Sequence, residues 1–554
     1  MQKQWNIRHP RVAQSMSVEE IVHTILVNRG HQTEETQANF LSPRLSQLFD
    51  PFLLPDLEPA IERVEKALRE NEPILIYADY DVDGMTSSAL MHRFLKALGA
   101  RVEVFIPERL KEGYGLTAAG IKRAREEHAF SFLIALDCGS TNTEIVEELK
   151  ADGIDVMIID HHQLPLLPPK PVAFVNPQRG QRGRYLATVG LVFKFCHGFL
   201  KHRKTPHLFD LKSALDLVAL GTIADLVPLE ADNRIFVKQG LKSMAMTRSI
   251  GLAKLMEQAR FKKRLTPAFC GFTLAPRLNA SGRLAHGKIG WKLLTTDDPK
   301  EAEELAQQLE HLNDERRAIE FEVTRDAFQE VAASVDWTVD QAVVVSSPNW
   351  HPGVIGIVAS RLVKEYYKPA VVIAIDAYGK GKGSCRSIEG VSLIEALGGC
   401  ENYLIGFGGH AMAAGLEIEA DRIPDFKQAL SQWLMQHASL EKLAPQLKID
   451  LELAGEELCE PLASALEDLE PFGSGNPAPV FTVQQARMMS VPRVFGQQHL
   501  FFRAQSQGKL FDAVAFGLAG KMAKKPISSV VDLAGQWEMD NYTRKPCLKV
   551  ADWR

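Results

Sequence analysis

Short apolar runs alternate with helical stretches from residue 73 to about residue 160. The apolar runs are Ile74–Tyr77, Val102–Ile106, Phe132–Leu136 and Val156–Ile159, and stretches such as Ser87–Leu98 and Ala118–Glu127 separate them. Buried strands that alternate with helices form βαβ units, so this region predicts an α/β domain built on a parallel sheet. A further apolar helix is predicted at Ser213–Ala224.

A long charged helix is predicted from residue 299 to about residue 334. Leu305, Leu309 and Leu312 recur at helical spacing among dense charges, without glycine or an internal proline. At 1.5 Å per residue such a helix is about 50 Å long and suits a strut between domains. A second strand–helix alternation follows in Ala342–Val345, Val354–Lys364 and Ala370–Ile375, with glycine-rich turns expected at 379–383 and 406–409.

Composition excludes several classes of protein. The 554 residues are 45% hydrophobic and 24% charged, which is typical of globular chains and not of disordered or collagen-like ones. The length predicts about three to four domains. A net charge of -5 provides no overall cationic field, so a nucleic acid must be held by local patches. Residues 480–554 are such a region, with 11 Lys and Arg against 5 Asp and Glu.

The seven cysteines are scattered and form no CxxC pair, which argues against a thiolate zinc site and favours a reducing compartment. The N-terminal residues MQKQWNIRHP lack the apolar stretch of a signal peptide. We therefore expect a cytoplasmic protein without a membrane association.

The first chemical signal is the string DYDVDG, which contains Asp79, Asp81 and Asp83 directly after a predicted strand. Three carboxylates this close repel one another unless a cation lies among them. A calcium loop of the EF-hand type is the rival interpretation, but it requires a glutamate at loop position twelve. That position is Leu90, so the EF-hand interpretation fails.

Acidic residues and histidines recur where the neighbouring strands end. Asp137 follows one strand, Asp160-His161-His162 follows the next, and Asp225 ends the apolar helix. Each aspartate alone is readily explained as a helix cap or turn residue, and for Asp160 an alternative role is to orient the ring of His161. The recurrence favours a shared site, because ligands bind at the carboxyl ends of parallel strands. Oxygen-rich ligation with one imidazole predicts two divalent ions, Mn²⁺ or Mg²⁺.

These motifs resemble the DHH phosphoesterase superfamily. Further strings are similar to the bacterial RecJ family of single-strand-specific DNA exonucleases: PERLKEGYG (107–115), PRLNASGRL (276–284), WHPGVIGIVASRL (350–362), GSCRSIEG (383–390), FGGHAMAAG (407–415) and LEPFGSGNPAPVF (469–481). The resemblance implies a parallel-sheet DHH domain, a long connecting helix, a second α/β domain (DHHA1) and a C-terminal β-barrel of the OB-fold type. The expected bounds are 1–50 for an N-terminal helical segment, 51–298, 299–338, 339–440 and 441–554.

The resemblance also implies an activity: metal-dependent 5′→3′ hydrolysis of single-stranded DNA to 5′-mononucleotides in recombination and repair. It implies that two ions are held by Asp79, Asp81, Asp83, Asp137, His161 and Asp225. Asp137 would bridge the two ions, and His162 would contact the scissile phosphate. The sequence departs from many relatives at Tyr77, where they have a histidine, which leaves the ligands of the first ion open.

A strand end requires groups that recognise its terminal phosphate. Guanidinium groups suit this task, and the candidates for substrate binding are Arg109, Tyr114, Arg277, Ser384, Arg386 and His410. Tyr114 could stack on a base or pack within the protein. In the basic C-terminal region, Phe495, Phe501, Phe502, Phe511 and Tyr542 interleave with cationic residues, and most of these phenylalanines are expected in the core.

Two other functions stay open at this point. One is a phosphodiesterase of the same superfamily that acts on short oligonucleotides or cyclic dinucleotides. The other is a non-catalytic scaffold in replication, which would be expected to lack metal ligands. Partners implied by the resemblance are single-stranded DNA, a helicase and a single-strand-binding protein, with the enzyme itself a monomer.

Overall fold

The computed structural model describes residues 3–9, 15–109, 111–261, 264–438, 444–524, 526–540 and 543–554. The chain divides into two compact units. One consists mainly of residues 280–285 and 307–446, and the other of residues 5–279, 286–306 and 447–554. No helix in these ranges is both long and apolar enough to cross a lipid bilayer.

The N-terminal segment begins with a strand, β1 (Gln4–His9), ahead of two helices, α1 (Val18–Asn28) and α2 (Glu34–Leu41). The sequence pattern predicts only short helices here. It does not indicate the strand, because β1 joins the edge of the C-terminal sheet, whose strands lie more than 400 residues further along the chain.

The predicted parallel sheet is confirmed. Its strands are β2 (Pro73–Ala78), β3 (Arg101–Phe105), β4 (Phe132–Leu136), β5 (Asp155–Ile159) and β6 (Ala173–Val175). They are parallel throughout and lie in the order β3-β2-β4-β5-β6. Their carboxyl ends therefore share one edge of the sheet.

Helices cover both faces of this sheet, so its strands are buried on both sides. In chain order they are α3 (Leu57–Glu70), α4 (Val82–Ala97), α5 (Ala118–Glu127), α6 (Thr143–Ala151), α7 (Thr188–Arg203), α8 (Leu215–Ala224), α9 (Ala231–Met244), α10 (Ile250–Gln258), α11 (Pro267–Phe269), α12 (Ala275–Leu284) and α13 (Lys288–Thr295). Helices α4 and α8 pack closely at Gly221, where an added Cβ would lie 2.3 Å from Thr86 Oγ1.

The predicted long helix is confirmed as α14 (Pro299–Ser334), with 36 residues. The elements that follow it are β7 (Val343–Ser347), α15 (Ile355–Tyr366), β8 (Ala370–Ile375), β9 (Lys380–Arg386), α16 (Leu393–Gly398), β10 (Gly406–Gly409), β11 (Ala413–Glu419) and α17 (Ile423–His437). The strands form a mixed sheet in the order β10-β11-β9-β8-β7, in which only β7 and β8 are parallel.

The expected glycine-rich turns are largely strands. Gly379, with a φ of +80°, lies in a turn, but Gly381 and Gly383 lie in β9 and residues 406–409 form β10. A Cβ at Gly381 would lie 2.7 Å from Ile373 Cγ2, and a Cβ at Gly383 would lie 2.7 Å from Leu416 Cδ1. In β9 glycine is thus required by side chains that pack over the strand.

The C-terminal region contains the expected β-barrel. Its elements are β12 (Gln446–Glu452), α18 (Glu460–Glu467), β13 (Phe481–Met488), β14 (Arg493–Phe495), β15 (His499–Ser506), β16 (Lys509–Ala515), α19 (Ala519–Lys524), β17 (Val530–Met539) and β18 (Pro546–Trp553). Five strands close on themselves in the order β13-β17-β18-β16-β15, because β13 also pairs with β15. The barrel shares one hydrophobic core with Ile21, Ile25 and Leu26 of α1.

Candidate metal centre

Three carboxylates lie at the turn from β2 into α4. Asp79 follows the strand directly, Asp81 caps the helix by accepting a hydrogen bond from Gly84 N at 3.0 Å, and Asp83 lies in the first turn. A Cβ at Gly84 would lie 2.3 Å from the carbonyl oxygen of Asp79. Glycine is required at residue 84 because the helix begins directly against the end of the strand.

The neighbouring strands contribute Asp137 and His161. Asp137 follows β4 and has a φ of 61°, a left-handed conformation that is unfavourable for a non-glycine residue and often found at functional sites. His161 Nε2 lies 3.5 Å from Asp137 Oδ1 and 3.4 Å from Asp225 Oδ2. Asp225 reaches this edge from the end of α8, as the helix's C-terminal cap.

All six predicted ligands come together in one cluster. Three sets of ligand atoms lie within 4.8 Å of one another: Asp79, Asp81 and Asp137; Asp83, His161 and Asp225; and Asp137, His161 and His162. The sets overlap at Asp137 and His161, so they form one continuous site. Asp137 belongs to two sets, as expected of a bridging carboxylate.

The cluster is short of positive charge. Burial, reinforced by the neighbouring aspartates, raises the pKa of Asp79, Asp137 and Asp225 well above the ordinary range and the pKa of Asp83 to about 7. Asp79 Oδ1 and Asp225 Oδ2 are buried and accept no hydrogen bond from the residues that the structure describes. Divalent cations would remove the repulsion and supply the missing partners.

Thr188 at the start of α7 holds two of these carboxylates, although no sequence motif indicates it. Its backbone N–H donates to Asp83 Oδ2 at 2.7 Å, and its hydroxyl donates to Asp137 Oδ1 at 2.9 Å. Val189 N donates to the other oxygen of Asp83 at 2.9 Å. Asp83 therefore also caps α7, and a threonine at a helix start is too common a feature to identify this role from sequence.

The interpretation of Asp160 as the partner of the His161 ring is wrong, because its carboxylate bonds to the His162 ring. Asp160 Oδ1 lies 2.6 Å from His162 Nδ1 and also accepts the backbone N–H of His161 at 2.8 Å. Burial opposes charge on both side chains, but their mutual attraction raises the pKa of His162 to about 9 and lowers that of Asp160. His162 Nε2 lies 2.9 Å from the Tyr114 hydroxyl.

Arg109 and Tyr114 lie beside this cluster. The Arg109 guanidinium carbon is 5.4 Å from the centre of the Tyr80 ring, and Tyr80 contacts Tyr114 edge-on at 6.5 Å between ring centres. Tyr77 is fully buried and packs on Phe105, and its hydroxyl donates to the carbonyl of Gly115 at 3.1 Å. Tyr77 thus positions the segment that contains Tyr114.

The remaining predicted substrate contacts fall into separate groups. In the unit that contains residues 307–446, Arg386 Nη1 donates to Ser384 Oγ at 3.1 Å, and both residues lie at the end of β9. His410 directly follows β10, in the same sheet. Arg277 lies in the other unit, on α12, and donates to the carbonyl of Thr273 at 2.6 Å.

The C-terminal aromatics divide into core and surface residues. Phe502 and Phe511 are buried, as expected, whereas Phe495 is 38% exposed. Tyr542 lies outside the described residues. The rings of Phe495, His499 and Phe516 contact one another on the surface, with centres 5.2 to 6.2 Å apart. Sequence reasoning missed His499 and Phe516.

Comparisons with known proteins cover nearly the whole chain. Three family models match it: the DHH family N-terminal domain at residues 73–222, the DHHA1 domain at 340–436 and the RecJ OB domain at 449–551. The chain is 34% identical to the single-stranded-DNA-specific exonuclease RecJ of Bacillus subtilis over 99% of this chain and 70% of that protein. It is 35% identical to the Haemophilus influenzae protein of that name, over 86% of each chain.

Solved structures agree with these matches. The crystal structure of RecJ from Thermus thermophilus in complex with Mn²⁺ aligns with a TM-score of 0.83 and 28% identity over 100% of this chain and 79% of that one. A structure of exonuclease RecJ bound to manganese aligns with a TM-score of 0.61 and 34% identity over 70% of this chain and 97% of that one.

Proposed function

The chain belongs to the RecJ family, and we propose that it degrades single-stranded DNA from the 5′ end to 5′-mononucleotides, in recombination and repair. The observation that supports this most strongly is the gathering of five aspartates and His161 at one edge of the parallel sheet. The relatives matched over most of this chain are single-stranded-DNA-specific exonucleases by name.

Two divalent cations, Mn²⁺ or Mg²⁺, fit the donor set. It consists of carboxylate oxygens and one imidazole, some of its buried oxygens accept no hydrogen bond from described residues, and its carboxylates repel one another. The ions would be held by Asp79, Asp81, Asp83, Asp137, His161 and Asp225, with Asp137 shared between them. When bound, they supply positive charge to the phosphate oxygens and lower the pKa of the attacking water.

The protein's own groups then hold the substrate in place. His162 is oriented by Asp160 through Nδ1, which leaves Nε2 directed toward Tyr114 and available to donate to a phosphate oxygen. Thr188 fixes the positions of Asp83 and Asp137, so these carboxylates need not reorganise when the substrate binds. The described residues around the cluster include no serine or cysteine activated as a nucleophile, so attack by water suits the site.

Recognition of the strand end is assigned to Arg109, Tyr114, Arg277, Ser384, Arg386 and His410. Arg386 is bonded to Ser384, so its guanidinium is already oriented for a planar contact with phosphate. The basic OB domain would bind the unpaired strand, with the surface rings of Phe495, His499 and Phe516 available for stacking on bases. A helicase and a single-strand-binding protein as partners, and a monomeric state, remain predictions from the sequence.

The test is digestion of end-labelled oligonucleotides, single- and double-stranded, with and without a 5′ phosphate, in Mn²⁺ and in Mg²⁺. We expect mononucleotides released from the 5′ end of single strands only, and no activity in excess chelator. Preference for a dinucleotide over long single-stranded DNA would instead favour the small-substrate phosphodiesterase. Full activity without metal would contradict the proposal, and complete inactivity with bound metal would favour the scaffold.

A further inference from the structure

A groove of about 500 Å³ lies between α14 and α15. Its walls are formed by Asp314, Arg316, Arg317, Ala318, Glu320, Phe321 and Arg361. All of these residues belong to one compact unit, and none has a role in the site described above. The groove combines three guanidinium groups with an exposed aromatic ring.

A buried carboxylate fixes two of the arginines. The Glu320 side chain is only 5% exposed and accepts hydrogen bonds from Arg316 on its own helix and from Arg361 on α15. Arg316 also donates to Asn313 Oδ1 at 2.6 Å. These bonds restrict both side chains, so the 55% exposed Arg361 is held at the wall of the groove.

The α14 side of the groove presents Arg317 and Phe321, which are one helical turn apart. Arg317 is 67% exposed, and its ion pair with the exposed Asp314 is long, at 3.9 Å. Phe321 is 69% exposed. A single exposed phenylalanine is common on protein surfaces, but here the ring shares its groove with two exposed guanidinium groups.

We propose that this groove binds the unpaired strand beyond its terminal nucleotides, with one base stacked on Phe321 and the flanking phosphates contacted by Arg317 and Arg361. The inference rests on the proposed function. Single-stranded DNA offers a flat ring and regularly spaced negative charges together, which is the combination that this surface complements. A small anion would have no use for the ring.

The test compares oligonucleotides of about 5 and about 20 nucleotides as substrates, because only the longer one can extend beyond the site of cleavage. For Phe321→Ala we expect KM for the long substrate to rise roughly five- to one-hundredfold, with kcat and KM for the short substrate unchanged. The matched control is Tyr378→Ala, which removes a 90% exposed ring from the turn after β8. It should change neither substrate.

Arg317→Ala provides a second readout. On single strands each lost phosphate contact reduces the dependence of log K on log salt by about 0.7, so we expect this reduction for the long substrate only. The control is Arg325→Ala, an exposed arginine on the same helix. Arg361 is left intact because its removal would strip a partner from the buried Glu320.

Two results would overturn the groove assignment: an unchanged length dependence in Phe321→Ala, or an equal loss on both substrates with a lowered melting temperature, which indicates a structural role. Failure of the wild-type enzyme to cleave any DNA would instead refute the proposed function.

Discussion

Asp160 binds the side chain of His162, with Oδ1 2.6 Å from Nδ1, and leaves the ring of His161 to face Asp137 and Asp225. The two adjacent histidines therefore have different surroundings: one lies among the candidate metal ligands, and the other is oriented toward the substrate. This division makes separate predictions for the two residues' partners.

Replacing Asp160 with asparagine should impair catalysis without impairing metal binding. The amide can still accept a hydrogen bond from His162, but it lacks the charge that stabilises the protonated ring. We expect kcat on single-stranded DNA to fall by roughly 10- to 100-fold, as for other partners that orient catalytic ligands. Mn²⁺ affinity, measured by calorimetry, should stay within about twofold of the wild type because Asp160 is in none of the three ligand sets.

The control for this variant is Asp152→Asn, at an exposed carboxylate paired with Arg125. It should retain wild-type kcat. A large loss of Mn²⁺ affinity in Asp160→Asn would show that Asp160 is itself a ligand.

Replacing Asp137 with asparagine should stabilise the metal-free protein and abolish its response to metal. The pKa of Asp137 is raised by burial and by the nearby Asp83 and Asp81, so its ionised form destabilises the folded state at neutral pH. Each unit by which the pKa exceeds its unfolded value corresponds to about 1.4 kcal/mol. Melting curves in chelator should therefore show a higher Tm for the variant.

With Mn²⁺ added, the order of the two melting temperatures should reverse. The wild type gains stability by binding ions in its folded state, whereas the variant lacks the shared ligand. Nuclease activity should be lost in the variant. Equal Mn²⁺-induced shifts in both proteins would exclude Asp137 as a ligand.

Replacing Tyr77 with phenylalanine tests whether this residue positions the neighbouring segment or contributes to a metal site. Loss of the hydroxyl removes one hydrogen bond to Gly115, worth about 1 kcal/mol of stability. We expect a higher KM for single-stranded DNA, because the segment with Tyr114 is held less firmly, and an unchanged Mn²⁺ affinity. Tyr378→Phe, at an exposed tyrosine, serves as the control. A marked drop in Mn²⁺ affinity would assign Tyr77 to the metal site.

His92 makes the stability of the protein sensitive to mild acid. Burial lowers its pKa from 6.5 to about 4, and its ring contacts Trp291 edge-on at 5.3 Å. Because the folded-state pKa lies below the unfolded value, stability is retained above pH 6.5 and lost as the pH falls toward 4. Between about pH 7.5 and about pH 5 this group should cost about 1 kcal/mol, after allowance for solvent screening of the partly exposed ring.

Urea unfolding at these two pH values provides the measurement. The decrease in unfolding free energy should be smaller in His92→Gln than in the wild type. His202→Gln, at an exposed histidine, should behave like the wild type. An equal decrease in His92→Gln and wild type would show that His92 is not the responsible group.

The sequence predicted the parallel sheet and the long helix because both depend on local periodicity. Strand β4 and helix α5 match their predicted bounds, and α14 ends where its charged pattern ends. The six candidate ligands were predictable for a related reason, since the carboxyl ends of adjacent parallel strands must meet at one edge.

What could not be predicted depends on contacts between distant segments. Thr188 holds Asp83 from 105 residues away, through a backbone N–H that every residue except proline possesses. The choice of His162 over His161 as the partner of Asp160 depends on side-chain direction at the end of a strand. Strand β1 is a short mixed sequence that becomes a strand only beside β12.

The shared core of α1 and the C-terminal barrel has a consequence for synthesis. Ile21, Ile25 and Leu26 are made at the beginning of translation, whereas the residues that cover them, such as Leu462 and Leu466, emerge only after more than 400 further residues. The apolar face of the first helix must therefore stay exposed while the catalytic sheet folds. A nascent chain of this protein should engage a chaperone through its first 30 residues until release from the ribosome.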